Sequence, residues 1–479
     1  MANVGETINR QEGGHTRSPD ARAKFPSPVP VAVMVSLSLL GDALLYAVLP
    51  SRAPSLGIPL VLVGVLLSVN RFVRLVTNSW AGAVYRRRGL PGPFFAAMVG
   101  ATATTLSYGV PWGFWPFLAA RAIWGACWSF LRLGQLLAVL ERAGDDERGR
   151  WMGRVQALAR VGTMLSVMLG GYLTDRLGYR ATIGLLGMLT AAGTVVAWRE
   201  VVQHRRWARV GDEQPRTERQ SRWRSDGPPE AAAGRPGACL EGDSGAPIAA
   251  GALRTGLALV YAGGFAQGFA TSGLIMGTLS LFLLQRFGDA VPLWGWTAGV
   301  ATVSGWLIGL RWAVELVLAP WSGWLADRQG RSRVVAAGSA LQAAMLVLLS
   351  AAASPEVIIL ASIGLFVGAV LFAVSLDAAG GDMSVHHRPT VVMSRYTTAQ
   401  DVGAALGPSV GYFLSDVVGL PAMYSGMAAL LVLIGAAFVL WFPSGTAQRA
   451  GTRRGGKDFD AKDGKTTRFV GALEGRRKQ

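Results

Sequence analysis

Cysteine, histidine and acidic residues are scarce in this sequence. Its 479 residues include two cysteines and four histidines, and 29 acidic residues stand against 46 lysines and arginines. Cys127 lies in an apolar run and Cys239 in a polar stretch, so neither indicates a disulfide framework or a metal site. His386 and His387 lie in a polar loop, which favours a solvated imidazole. We therefore expect no metal and no cofactor.

Catalytic motifs are missing as well. The sequence contains no GxxxxGK[ST] phosphate-binding loop, which an ATP-driven pump requires, and no credible pairing of a nucleophile with a base. These absences argue against an enzyme.

Charged residues make up only 16% of the chain, whereas apolar residues make up 51% and gather in long runs. About 20 apolar residues in a helix are enough to cross the hydrocarbon core of a bilayer. The runs predict an all-α polytopic membrane protein with twelve transmembrane helices. The first run follows a polar segment and lacks a small-residue cleavage motif, so we expect it not to be a removable signal peptide. The predicted spans are 30–50, 59–84, 93–112, 115–140, 152–174, 181–198, 254–284, 297–325, 334–353, 356–377, 393–415 and 421–442.

The net charge of +17 is concentrated in alternate loops. Arg86–Arg88 is one such basic group, and the stretch from Arg199 to Arg254 is another, whereas the opposite loops carry only scattered charges. This asymmetry follows the positive-inside rule and predicts that both termini lie in the cytoplasm. We expect the protein to reside in the cytoplasmic membrane. It also explains the basic composition without a nucleic-acid partner. Tryptophans at 112–115 and 294–296 are expected at the outer interface.

An internal repeat relates the two halves of the chain. Asn70–Gly89 and Arg311–Gly330 align without a gap at an offset of 241 residues, with seven of twenty positions identical. The repeat predicts two pseudo-symmetric six-helix bundles. We expect an N-terminal tail at 1–29, the bundles at 30–198 and 254–442, a disordered basic cytoplasmic linker at 199–253 and a basic tail at 443–479.

The loop GWLADRQGRSR, which begins at Gly323, resembles the signature loop of the major facilitator superfamily. Arg121–Gly125 and the first-span segment LLGDALLYAVLP resemble further motifs of drug/proton antiporter-like bacterial members. The resemblance covers about 30–442 and implies two six-helix bundles around a central cavity that opens alternately to each side. In the fifth span the antiporter glycine series is degenerate, since Ser166 and Val167 replace its central Gly-Pro.

The signature loop carries a predicted conformational latch. Gly323 and Gly330 allow a tight turn, and Asp327 is suited to accept hydrogen bonds at the N-terminus of a neighbouring helix. The resemblance implies that this neighbour is span 11, where Arg395 is a further candidate partner. In the first half Arg86 stands in place of Asp327, so we expect a one-sided latch; a simple basic turn is the alternative. The loop residues concerned are Gly323, Asp327, Arg328, Gly330, Arg331 and Arg395.

Ionisable groups inside spans are expensive and therefore candidates for function. Asp42 in span 1 and Arg121 in span 4 lie at similar depths, ~12 Å and ~9 Å from the outer end of their spans at 1.5 Å per residue. The resemblance implies that both spans line the cavity. We therefore predict an Asp42–Arg121 pair that couples transport to protons; mutual neutralisation alone is the alternative.

A second set of intramembrane charges is related by the repeat. Arg74 and Arg160 correspond at the same offset to Glu315 and Asp401, with the sign reversed. In the superfamily span 2 faces span 11 and span 5 faces span 8. We therefore predict two bridges, Arg74–Asp401 and Arg160–Glu315, that hold the cytoplasmic half closed when the carrier faces outward. In the alternative, these charges contact substrate or water in a wet cavity.

The predicted function is secondary transport of a small molecule across the lipid bilayer. We expect the transporter to be a monomer and its coupling ion to be the proton. Proton-coupled efflux is favoured, and the alternatives are uptake of an organic or anionic solute and a non-transporting sensor or scaffold on the same fold. The further candidates for the substrate cavity are Arg71, Arg132, Arg311, Trp124, Gln135 and Gln267.

Overall fold

The computed structural model describes residues 28–142, 148–212, 250–385 and 389–442. The N-terminal tail before residue 28, most of the basic linker, His386 and His387, and the C-terminal tail after residue 442 lie outside the described residues. Predictions that concern those segments are therefore not addressed by the structure.

The described chain forms twelve long helices, and each coincides with one predicted span, which confirms the all-α membrane fold. Helix α7 is continuous but contains a π-helical segment, Gly268–Ile275, between Ala250–Gln267 and Met276–Phe287. The other helices are α1 Val29–Arg52, α2 Val63–Arg88, α3 Pro91–Ser107, α4 Phe114–Arg142, α5 Arg148–Leu177, α6 Tyr179–Asp212, α8 Val300–Gln329, α9 Arg331–Ala351, α10 Pro355–Val385, α11 Pro389–Ser415 and α12 Leu420–Trp441.

Ten of these helices are long and apolar enough to cross a membrane. The other two are α3, which has 17 residues, and α11, which carries Arg395, Gln400 and Asp401. Helix α6 continues to Asp212, so the prediction that the linker begins at residue 199 without structure is wrong for its first residues. An antiparallel hairpin, β1 Ala290–Leu293 with β2 Trp296–Gly299, joins α7 to α8 and was not predicted.

Glycine explains two of the tightest connections. Gly330 is the only residue between α8 and α9 and has φ 94°, and the aligned Gly89 follows α2 with φ 70°. A positive φ is readily adopted only by a residue without Cβ. The matching backbone at Gly89 and Gly330 agrees with the repeat that the sequence indicates.

The helices pack as two bundles, α1–α6 and α7–α12. Between the bundles α2 packs against α11, α5 packs against α8, and α1 contacts both α7 and α8. We call the side where α1 begins and α12 ends the terminal side, and the opposite side the far side. Trp112, Trp115, Trp294 and Trp296 are exposed at the far side, in the connections where the sequence predicts an aromatic belt.

The apolar core is shared between the bundles on one side only. The largest cluster of buried residues joins residues of both bundles, for example Leu45 and Val63 with Leu307 and Tyr412. Three further clusters each belong to a single bundle and occupy the terminal-side part of that bundle; they lie around Phe94, around Phe372 and around Val155. The bundles therefore meet on the far side and have separate cores on the terminal side.

Candidate functional site

The interface between the bundles is closed on the far side by close backbone contact. A Cβ at Gly64 of α2 would lie 2.8 Å from Cβ of Tyr412 in α11, and a Cβ at Gly305 of α8 would meet the carbonyl group of Val167 in α5. Only glycine permits helices to approach so closely. The glycines of α2 and α8 thus hold both pairs of facing helices in contact.

Hydrogen bonds reinforce this closure, which we call the far-side seal. The Ser409 amide donates to the Ser68 hydroxyl at 3.1 Å, and the Ser280 hydroxyl donates to the Ala47 carbonyl at 2.7 Å. Asp175 at the end of α5 accepts two hydrogen bonds from Thr302 in the first turn of α8, each at 2.7 Å. Arg52 of α1 lies 3.4 Å from the other Asp175 oxygen. Sequence reasoning missed Asp175, because the pattern TDRLG reads as an ordinary helix end.

Toward the terminal side the same helices pack less closely. No residue of α2 between Asn70 and Ala81 is buried, and none of α8 between Gly309 and Ser322. Each stretch covers all faces of its helix, so the face toward the other bundle is not buried either. From this difference between the two sides we infer a central cavity that opens to the terminal side.

Both predicted charge pairs lie where the far-side seal ends. Arg74 Nη2 is 3.7 Å from Asp401 Oδ1, and Arg160 Nη2 is 3.0 Å from Glu315 Oε1. The side chains remain 14–37% exposed, so water reaches both pairs from the cavity. The structure thus brings together the residues that the repeat pairs.

Both bridges are formed in the conformation described here. The sequence predicts bridges that close the terminal side, whereas they are formed here while that side is open. The reason is their depth: Arg74 lies 14 residues before the end of α2 at Arg88, close to the middle of the membrane. At that level the two pairs join helices of opposite bundles. A role of these bridges in gating remains a prediction.

Asp42 and Arg121 form a buried ion pair inside the first bundle. Arg121 Nη1 contacts Asp42 Oδ1, and the Arg121 side chain is fully buried. Asn70 Nδ2 lies 3.2 Å from the same Asp42 oxygen, and Arg121 Nε donates to the Leu66 carbonyl at 2.9 Å. The pair joins α1 to α4, and Asn70 and the Leu66 carbonyl connect it to α2. The Asp42 side chain is 10% exposed.

Three further predicted cavity residues are arginines, and all three are at least partly exposed. Arg71 Nε lies 3.4 Å from the Tyr46 hydroxyl, and Arg311 Nη2 lies 3.1 Å from the Ser272 hydroxyl. Arg132 of α4 is exposed and lies near enough to Arg74 to repel it. These positions agree with a cavity lining, and contact with a substrate remains a prediction.

Trp124, Gln135 and Gln267 do not line the open cavity, contrary to the prediction. Trp124 is 1% exposed and stacks on Trp128, with ring centroids 5.7 Å apart. Gln135 is buried, and its Nε2 donates to the Val155 carbonyl at 3.4 Å. Gln267 donates to the Ala369 carbonyl at 3.1 Å and accepts from Gln342. A buried amide needs such partners, and here helices of the same bundle supply them.

The signature loop between α8 and α9 contains a network of charges. Arg331 contacts Asp327 and lies 3.2 Å from Asp382 near the end of α10. Arg328 lies 4.2 Å from the ring centroid of Trp324. Arg395 is exposed on α11. The predicted latch between Asp327 and α11 remains a prediction, and the observed network joins the loop to α10.

Gly323 has a different role from the predicted one. A Cβ at this position would have Val374 Cγ1 as its nearest neighbour, at 3.9 Å, which is ordinary van der Waals contact. The tight turn therefore depends on Gly330, whose φ is positive, and close approach of another helix at Gly323 is not observed.

One polar cluster of the second bundle was missed by sequence reasoning. Asp377 of α10 is exposed, and its Oδ1 accepts a hydrogen bond from the Tyr396 hydroxyl at 2.5 Å. Gln400 Nε2 donates to the same hydroxyl at 2.7 Å. Asp377 also interacts electrostatically with Glu315 and Arg160, so it belongs to the charged lining of the cavity. Asp377 could have been identified from the sequence, because it is a charged residue within a predicted apolar span.

Comparisons with known proteins agree with this architecture. The chain is 28% identical over 130 residues to a human synaptic vesicular amine transporter, and the alignment spans 26% of this chain and 25% of that protein. Among solved structures, a POT family transporter in complex with 5-aminolevulinic acid has a TM-score of 0.64 at 11% identity, covering 88% of this chain and 98% of its own. Another POT family transporter, in complex with a thioalcohol-conjugated peptide, has a TM-score of 0.63 at 11% identity, covering 86% and 96%.

A model of the whole family matches most of the chain. The family is described as the Major Facilitator Superfamily, and the matched residues are 31–305 and 294–473. The matched residues include both six-helix bundles. They also include the intramembrane charges that lie between the bundles. The chain is therefore a membrane transporter that belongs to the Major Facilitator Superfamily.

Proposed function

We propose that this chain is a monomeric secondary active transporter that couples proton movement to the export of a small molecule across the cytoplasmic membrane. The observation that carries the proposal is the buried Asp42–Arg121 pair. A carboxylate held in the membrane interior by one cation is suited to exchange a proton when its contact with that cation changes.

The proposed cycle uses the arrangement of the first bundle. In the described conformation Asp42 contacts Arg121 and Asn70. A proton that enters from the far side neutralises Asp42 and weakens its contact with Arg121. The rearranged pair then favours the state that is open to the terminal side, where the proton leaves and substrate enters. Proton entry and substrate exit thus take place in different conformations, as antiport requires.

The distribution of charge supports export as the direction of transport. The basic loops lie on the terminal side, which the positive-inside rule assigns to the cytoplasm. The described conformation then opens to the cytoplasm, where an exporter collects its substrate. Uptake of an organic or anionic solute is the second candidate, because the cavity wall carries more arginines than carboxylates.

A flux experiment in proteoliposomes tests the proposal. Purified protein is reconstituted, a pH gradient is imposed, and movement of cationic dyes, amines and small organic anions is followed. Amines are included because of the partial similarity to an amine transporter. We expect flux to depend on the gradient and to be reversed by inverting it.

Two variants make the test specific. Asp42→Asn should abolish dependence on the gradient but leave exchange of substrate at equal pH. Asp416→Asn removes an exposed carboxylate beyond the far-side end of α11 and serves as the matched control. Gradient-independent flux in the unaltered protein would refute proton coupling.

A further inference from the structure

Two arginines of the cavity have no carboxylate at ion-pair distance among the described residues. They are Arg71 of α2 and Arg311 of α8, which come from opposite bundles. The nearby carboxylates pair with other arginines. Asp401 pairs with Arg74, which lies one turn from Arg71 on α2. Glu315 lies one turn from Arg311 on α8 and pairs with Arg160 of α5. An arginine is always charged, and a charge inside a membrane is costly unless it is paired or solvated.

The charge of the whole cavity lining is also unbalanced. Among the described residues, five arginines and three carboxylates are gathered there, which leaves an excess of two positive charges. Asp42 does not alter this balance, because it contacts Arg121. The arginines are Arg71, Arg74, Arg132, Arg160 and Arg311, and the carboxylates are Glu315, Asp377 and Asp401.

Both guanidinium groups keep free hydrogen-bond donors. Among the described residues, Arg71 donates through Nε to Tyr46, and Arg311 donates to Ser272 and contacts Met276 Sδ. Each guanidinium has five N–H donors, so both retain several for another acceptor. The neutral contacts hold the two side chains in place without neutralising them.

The two arginines lie at the deepest open level of the cavity. Toward the far side, the Ser68–Ser409 hydrogen bond and the contact of Gly305 with Val167 close the interface. Arg71 and Arg311 are close enough to repel each other, although they belong to different bundles. An anion placed between them would remove this repulsion and contact both bundles at once.

Aromatic rings accompany both arginines. The Arg71 guanidinium carbon lies 6.0 Å from the Tyr46 ring centroid, and that of Arg311 lies 4.8 Å from the Trp312 ring centroid. Tyr46 is buried and Trp312 is partly exposed, so a flat ligand can combine charge neutralisation with contact to the Trp312 ring. Guanidinium groups bind carboxylate and phosphate oxygens through parallel hydrogen bonds.

We propose that Arg71 and Arg311 form an oxyanion subsite between the bundles, which takes the carboxylate or phosphate group of a small organic anion. The inference names the substrate class of the proposed transporter and rests on that proposal for its physiological meaning. Binding itself does not depend on proton coupling or on the direction of transport.

Binding of matched probes to the purified full chain tests the subsite. Benzoate and phenyl phosphate carry the expected anionic group, benzamide is the neutral analogue of benzoate, and benzylamine is the cationic one. Titration calorimetry in nanodiscs, with thermal unfolding to verify the folded state, should detect at least one of the two anions. Benzamide and benzylamine should bind at least tenfold more weakly than that anion.

Substitutions assign the binding to the two arginines. Arg71→Gln and Arg311→Gln should each weaken anion binding about tenfold or more, and the double variant should lose little beyond either single variant, since one ligand group contacts both side chains. Arg87→Gln removes an exposed arginine at the end of α2 and should leave binding unchanged.

Three results would overturn the subsite: no binding of either anion to folded protein, tighter binding of benzylamine, or anion binding unaffected by both substitutions. The flux experiment separates this failure from that of the proposed function. Gradient-driven flux of cations without anion binding refutes the subsite alone, whereas anion binding without gradient-driven flux refutes proton coupling alone.

Discussion

Asp175 at the end of α5 accepts hydrogen bonds from both the amide and the hydroxyl of Thr302 in the first turn of α8. The two residues belong to different bundles, and the carboxylate meets a helix N-terminus, where unpaired amides and the helix dipole favour negative charge. Arg52 of α1 approaches the same carboxylate. This contact can exist only while the far side is closed, so it stabilises the conformation described here.

Asp175→Asn should therefore shift the population toward the state open on the far side. A hydrogen bond to a charged group contributes about 1.5–3 kcal/mol, so the equilibrium should change by roughly tenfold or more. The measurement is labelling from the far side of a cysteine placed at Ser304, which is fully buried in the seal. Asp416→Asn is the control, and equal labelling rates in both variants would show that Asp175 does not stabilise the closed state.

The bridge between Arg74 and Asp401 should behave as a pair. Arg74→Asp alone places two carboxylates together near the middle of the membrane and should reduce the transport rate strongly. The exchanged variant, Arg74→Asp with Asp401→Arg, should recover much of that loss, since coupling energies of contacting charges are about 0.5–3 kcal/mol. Flux measured for both single variants and the double variant checks this. A double variant as slow as the slower single variant would contradict it.

Removal of either partner of the Asp42–Arg121 pair should destabilise the folded protein. Asp42→Asn leaves a fully buried guanidinium without its counter-ion, which typically costs about 3–5 kcal/mol. Asp42→Asn with Arg121→Gln removes both charges and should be more stable than Asp42→Asn alone. Thermal unfolding in one detergent compares the variants. If the double variant is the least stable, the pair is not the main source of the effect.

Two glycines of the signature loop should respond differently to alanine. Gly330→Ala forces a Cβ onto a residue with φ 94° and should destabilise the protein by about 1–3 kcal/mol. Gly323→Ala adds a Cβ with its nearest neighbour at 3.9 Å and should be nearly neutral. Thermal unfolding of the two variants provides the comparison, with Gly323→Ala as the internal control. A larger loss for Gly323→Ala would contradict the assignment of the tight turn to Gly330.

Predictions for individual residues were correct or wrong depending on whether the contact concerned could be recognised from the sequence around the residue. The bridges were paired correctly because the repeat identifies the charged positions and the resemblance to the superfamily implies which helices face each other. Gln135 and Gln267 were assigned to the cavity in error, because an amide in an apolar span looks the same whether it faces water or a neighbouring carbonyl. Asp175 was overlooked because its partner, Thr302, is 127 residues away and in the other bundle.

The sequence by itself determined the twelve helices, their grouping into two related halves and the identity of the intramembrane charges. The physical reason is that each depends on local patterns: a run of apolar residues must form a helix in a bilayer, and a charge within it must be paired or solvated. The tertiary structure alone decided which side is closed, and which charges contact a partner and which remain without one. Those properties depend on the distance between bundles, and that distance is set by glycine contacts between residues far apart in the chain.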